Sequence, residues 1–401
     1  MATQKILTRD FILSFFAQFS FSFVFSILIP TIPIYLSRRE AKEAEIGVLV
    51  GALSVSSLAL RPLVGRALLR IPEKNFMIAG ALIYTLSSLA YLVAPPFWPL
   101  LAVRLFQGIG LAFFSTASFT LVANITPETH RGQIISYFYL SINFGFALAP
   151  YFGMLLINQF NFPFNFNALF LICTGLSLCC LFITLKLKKM PVPPLANLTS
   201  QKQPFLSREA LPPAIIAFLT TITWGALTAF FPLYALRQGV NNPGIFFAAF
   251  AITLILVRSL GGKILDIYAR EKVILPCLFN LIISPAILAF STTLTMFILV
   301  AIIWGMGTAF LYPALVAYVI DRAGSSRGPA MGTFTALTDL GAGMGSVIMG
   351  IILELTNYPI MFLCLALTGV INLLYFYFMV RRKPQNAYSP TEGGPACRRQ
   401  G

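Results

Sequence analysis

One length recurs through this chain and limits what it can become. Apolar runs of about twenty residues follow one another from end to end, separated by short polar or charged breaks. Wound as an α-helix, such a run crosses the ~30 Å hydrocarbon core of a bilayer. Splitting at charges, prolines and polar clusters gives twelve spans, at approximately 11–36, 46–66, 75–94, 99–123, 133–157, 167–186, 211–236, 244–263, 273–291, 296–320, 329–353 and 360–380. Only 10% of the residues are charged and 58% are hydrophobic, which a soluble fold could hold only by exposing apolar patches that soluble proteins avoid. The fold class read from this pattern is an all-α polytopic membrane protein with twelve transmembrane helices.

The first run, Phe11 to Leu36, is too long for a signal-peptide core and is followed by no small-residue cleavage site, so it reads as a retained span. The longest break, "KLKKMPVPPLANLTSQKQPFLSREA", is Pro-rich and basic and reads as a linker. The expected organisation is therefore an N-terminal six-helix half at 1–186, a linker at 187–210, a C-terminal half at 211–383 and a disordered tail at 384–401. Of the 28 Lys and Arg residues, only Arg38, Arg39, Lys42 and Arg237 fall in loops on one side. By the positive-inside rule the other side, with both termini and the linker, is cytoplasmic, in a plasma or inner membrane. Topology thus accounts for the net charge of +15 without a nucleic-acid partner. The six cysteines have no disulfide or ligand spacing, and no metal cluster, nucleotide-binding loop or nucleophile–base pair is present, so the reading is not an enzyme.

The chain also repeats itself. Sliding the second half back by 197 places Arg258 on Arg61, Gly262 on Gly65, and "IIWGMGTAF" on "LFQGIGLAF". A shift of 196 sets Gly341 on Gly145 and Asp339 on Asn143. Two nearly equal offsets held across half the chain indicate a duplicated six-helix unit, and parallel repeats of this kind place a substrate site between the halves near the midplane.

Twelve spans, this repeat and "GGKILDIYAREK", with Gly262, Asp266, Arg270 and Lys272 at the expected spacing, resemble the major facilitator superfamily. The first-half copy, "RPLVGRALLRIPEK", keeps Gly65 and Arg70 but has Leu69 where that family has Asp. The resemblance implies two pseudo-symmetric halves and a conformational latch at Gly65, Arg70, Gly262, Asp266 and Arg270. It also implies a cavity surrounded by spans one, four, seven and ten. Gln18 and Ser22, Gln107, Trp224 and Thr228, and Trp304, Thr308 and Tyr312 fall on those spans at helical spacing, and Asn143 is placed with them.

Asp339 lies ten residues into its span, ~15 Å along a helix and so mid-membrane. Ionisable groups at that depth are costly and mark function, and this carboxyl is the candidate proton carrier. Arg104 heads a fourth-span pattern with Gly108 and Gly110; it cannot carry the proton but can tune a carboxylate or bind an anionic group. In "NFGFALAPYFGM", Gly145, Pro150 and Gly153 match part of a pattern found in the superfamily's exporters, while Ala149 and Met154 depart from it. Those two are expected to hold the halves further apart at span five. Gly341 and Gly345 offer a similar packing face on span eleven.

The leading expectation is a monomeric, proton-coupled exporter of small, partly apolar molecules such as a lipophilic cation, driven by the proton gradient without a cofactor. An importer or facilitator of a sugar or organic acid, and a non-transporting sensor or scaffold, are the alternatives.

Overall fold

The computed structural model describes residues 8–68, 70–95, 97–126, 131–188, 207–208, 210–261, 270–323 and 327–380. Twelve helices follow in order: α1 Arg9–Arg38, α2 Glu43–Ala67, α3 Glu73–Val93, α4 Trp98–Ile125, α5 Arg131–Gln159, α6 Phe164–Leu185, α7 Leu211–Arg237, α8 Gly244–Gly261, α9 Arg270–Leu288, α10 Leu294–Ala323, α11 Arg327–Leu355 and α12 Tyr358–Tyr375, the last continued by a π turn at Phe376–Val380. Each overlaps one expected span. Ten are long and apolar enough to cross a membrane, and the described parts of α8 and α9 are shorter. Several helices run past the expected limits because a terminal charge does not stop a helix. Thus α1 begins at Arg9 under a cap in which Phe11 N donates to Thr8 Oγ1 (3.2 Å).

The duplication is visible in the contacts between helices. Gly108 of α4 lies against Leu53 and Ser56 of α2, and Gly305 of α10 against Phe250 and Thr253 of α8. Gly145 of α5 lies against Ser22 and Phe23 of α1, and Gly341 of α11 against Phe218 and Thr221 of α7. Gly108, Leu53 and Ser56 correspond to Gly305, Phe250 and Thr253 at the sequence offset of 197, and Gly145 with Ser22 to Gly341 with Phe218 at 196. A Cβ on any of these glycines would meet a neighbouring helix, so their small size sets the helix separations.

The role expected for α5 needs correcting. Gly145 and Gly153 pack on α1 of their own half; a Cβ at Gly153 would stand 2.6 Å from Ile27 Cγ1. Ala149 and Met154 are fully buried. The small-residue face therefore serves packing within the half and does not set the distance between halves. The other half is met at Pro150, against which Gly244 of α8 is seated.

Among the described residues, the halves close on one membrane face. Toward that face, Gly47 and Gly51 of α2 abut Gly343, Ser346 and Gly350 of α11. Polar links that cross between halves there, among the described residues, are Ala44 N donating to Glu354 Oε2 (3.2 Å), Asn158 Nδ2 donating to Asn241 O (2.8 Å), and Arg237 pairing with Glu43 (3.4 Å). At the other ends of α2 and α11 the picture reverses. Among the described residues, no atom of another helix lies within 4 Å of where a Cβ on Gly65 or Gly332 would stand. Bonds near this second face, such as Lys74 Nζ to Leu185 O (2.7 Å) and Asn124 Nδ2 to Glu73 Oε1 (2.6 Å), stay within the first half. Among the described residues, the two halves form a V that opens toward the face holding the start of α1.

Candidate functional site

Inside the V lies a cavity of about 410 Å³. Its walls come from α1, α4, α7 and α10, and also from α2, α5, α8 and α11, which the sequence reading did not include. One wall is aromatic. Trp224 of α7 stacks on Trp304 of α10 with centroids 5.6 Å apart, Phe250 of α8 lies 4.4 Å from Trp304, and Phe146 of α5 reaches across from the first half to within 5.3 Å of Trp224.

The polar groups are less available than their spacing suggests. Ser118 Oγ donates to Gln18 Oε1 (2.7 Å), and Gln18 Nε2 donates to Ser22 Oγ (2.9 Å), so this amide bridges α1 to α4. Thr308 Oγ1 donates to Trp304 O (2.9 Å) and Thr221 Oγ1 to Ala217 O (2.9 Å). Hydroxyls turned back onto their own helix leave methyl groups to the cavity. Gln18, Ser22, Trp224, Trp304, Thr308, Tyr312 and Asp339 all line it.

Other expected residues lie elsewhere. Gln107, Thr228 and Arg104 line a narrower cleft of about 60 Å³, which shares Phe25, Leu53, Ser54, Trp224 and Ala342 with the main cavity. Asn143 is half-buried and lines neither space; its neighbour Ile142 takes the wall position, because a one-residue step turns a helical side chain by about 100°. Gly262 and Asp266 fall outside the described residues. Arg270 opens α9, while Gly65 and Arg70 are exposed.

Charge in the cavity centres on a pair that bridges the halves. Arg61 Nε of α2 stands 2.9 Å from Asp339 Oδ2 of α11. The Arg61 Nε hydrogen is directed to Ser57 Oγ (3.2 Å), so the two charges attract without an aligned hydrogen bond, and Asp339 Oδ2 is buried without one. Arg258 of α8 also lines the cavity, its Nε donating to Ala309 O (3.1 Å).

Arg104 lies apart from this pair, at the adjoining cleft. It is 7% exposed, which rules out snorkelling to the interface. Its Nε donates to Leu49 O (3.0 Å) and its Nη1 to Gln107 Oε1 (3.0 Å), an oxygen that also accepts from Tyr91 OH (2.7 Å). The partner of Asp339 is Arg61, so Arg104 and Asp339 do not form a coupling pair. Sequence reasoning did not include Arg61 and Arg258 among the site residues. The signal that could have found them is the repeat itself, which aligns these two arginines with each other. Among the described residues no cluster of His, Cys, Asp and Glu gathers as a metal site.

A family model described as Major Facilitator Superfamily matches residues 14–257 and 214–399. The staphylopine export protein of Staphylococcus aureus (strain Mu50) is 27% identical over 373 residues, covering 87% of this chain and 90% of that protein. Multidrug resistance protein 2 of Bacillus subtilis (strain 168) is 27% identical over 355 residues, covering 84% and 87%. A crystal structure of a variant of the nucleoside transporter NupG superposes with a TM-score of 0.78 at 17% identity, covering 92% of this chain and 99% of that one.

Proposed function

This chain belongs to the major facilitator superfamily, and from that premise we propose that it is a proton-coupled antiporter that exports small, partly apolar molecules. Membership makes it a multi-pass membrane transporter of small molecules and not an enzyme. The observation that carries the finer reading is the Arg61–Asp339 pair, set in an aromatic cavity and spanning the two halves near the midplane. A proton on Asp339 removes the charge that attracts Arg61 and frees the halves to rock, so this carboxyl can link proton movement to alternating access. Relatives whose names describe a staphylopine exporter and a multidrug resistance protein support export over import. With the basic loops cytoplasmic, the open face is the inner one, which suits loading from within the cell.

The test uses membrane vesicles of both orientations. In inverted vesicles with an acidic lumen, protons leaving should drive accumulation of an aromatic test compound, and a protonophore should abolish it. Accumulation confined to right-side-out vesicles with an acidic exterior would establish import instead.

A further inference from the structure

Among the described residues, the charged side chains that line the cavity and its adjoining cleft are Arg61, Arg104, Arg258 and Asp339. Arg104 and Arg258 bond to neutral carbonyl and amide oxygens, and among the described residues neither is paired with a carboxylate. A cargo with only positive charge would meet net repulsion here, contrary to the lipophilic cation expected from sequence. Arg258 uses Nε on Ala309 O, which leaves its terminal nitrogens to form the paired hydrogen bonds that a guanidinium makes with a carboxylate.

Asp339 asks for the opposite group. Its Oδ2 is buried without an aligned donor, because the nearest N–H, on Arg61, is committed to Ser57. Antiport adds a second constraint. Cargo and proton must compete, and an ammonium on Asp339 excludes the proton, whereas an anion beside Asp339 would favour its protonation and travel with it. The space between these groups is walled by Trp224, Phe250 and Trp304, and a cavity of about 410 Å³ holds a two-ring body.

We infer that the cargo is an aromatic zwitterion, its carboxylate held by Arg258, its ammonium by Asp339 and its rings on the tryptophan wall. This rests on the antiport reading proposed above. The test is calorimetric binding to the purified full-length protein, using four probes on one naphthalene body: 3-(2-naphthyl)alanine, its amide, its N-acetyl derivative and the N-acetyl amide. These present both charges, the ammonium alone, the carboxylate alone, and neither.

The zwitterion should bind about tenfold or more tighter than either singly charged probe, as expected for one charge-assisted hydrogen bond gained. Arg258→Gln should erase the difference between the zwitterion and its amide, and Arg258→Lys should restore part of it, which separates a lost charge from a lost fold. Asp339→Asn should erase the difference between the zwitterion and its N-acetyl derivative. An amide that binds as tightly as the zwitterion, or four indistinguishable probes, would overturn the assignment. Proton-linked flux with the amide bound tightest would overturn it while leaving export standing. The expected binding order without proton-linked flux in liposomes would support the site and overturn the export reading.

Discussion

Asp339 and Arg61 belong to different halves, so their attraction acts on the conformation of the whole molecule. Asn at 339 keeps the shape of the side chain and removes both the charge and the capacity to carry a proton. Asp339→Asn should therefore lower proton-driven accumulation at least about tenfold, while cargo at saturating concentration still exchanges down its own gradient. Paired measurements in liposomes, with and without an imposed pH gradient, check this; full gradient-driven transport by the variant would remove Asp339 from the coupling step. The depth of this carboxyl was legible in the sequence, because counting along a span locates a charge in the bilayer. Its partner was not. The choice of Arg61 over Arg104 depends on which helices face each other across the cavity, and distance along the chain does not encode that.

The seam between α2 and α11 behaves differently at its two ends. At the closed end a Cβ on Gly51 would stand 2.7 Å from Gly343 O, whereas Gly65 at the open end meets nothing within 4 Å. Overpacking a close contact costs about 1–3 kcal/mol, which moves a two-state ratio by roughly 5- to 150-fold. Gly51→Leu should therefore open the closed face and raise the rate at which an impermeant maleimide, applied from that face, labels Ile29→Cys, at a position lining the narrow cleft, in a background lacking other cysteines. Gly65→Leu is accommodated in the present state and should obstruct only the opposite one, so it should lower that rate; equal rates in both variants would contradict an outer seam that opens. A third substitution separates packing within a half from packing between halves. Gly153→Leu would press on Ile27 of α1 and should lower thermal stability by about 1–3 kcal/mol, read from melting of the detergent-solubilised protein. Gly244→Leu, against Pro150, should chiefly weaken the closed face and be read as faster labelling of the same cysteine. The spacing of Gly145, Ala149 and Gly153 disclosed a packing face on α5 but could not say which helix it serves, because α1 and α8 are both apolar neighbours.

For the molecule as a whole, the twelve spans and their duplication were legible because the bilayer fixes helix length and the repeat fixes which helices correspond. The conformation was not, since closing one face and opening the other uses the same residues in the same order. What the structure adds is a direction: a V closed where Glu43, Asn158, Arg237 and Glu354 tie the halves together, and open where the unpacked Gly65 and Gly332 lie. The central claim is that this V exchanges a proton for its cargo, and its sign can be read without knowing how the protein is oriented in the membrane. Liposomes holding the purified protein and a pH-sensitive dye are loaded with whichever naphthalene probe binds tightest and diluted into probe-free buffer at equal pH. Antiport predicts that probe leaving the lumen draws protons in and acidifies it, with no change in Asp339→Asn liposomes; alkalinisation of the lumen, or probe efflux without any pH change, would contradict the account.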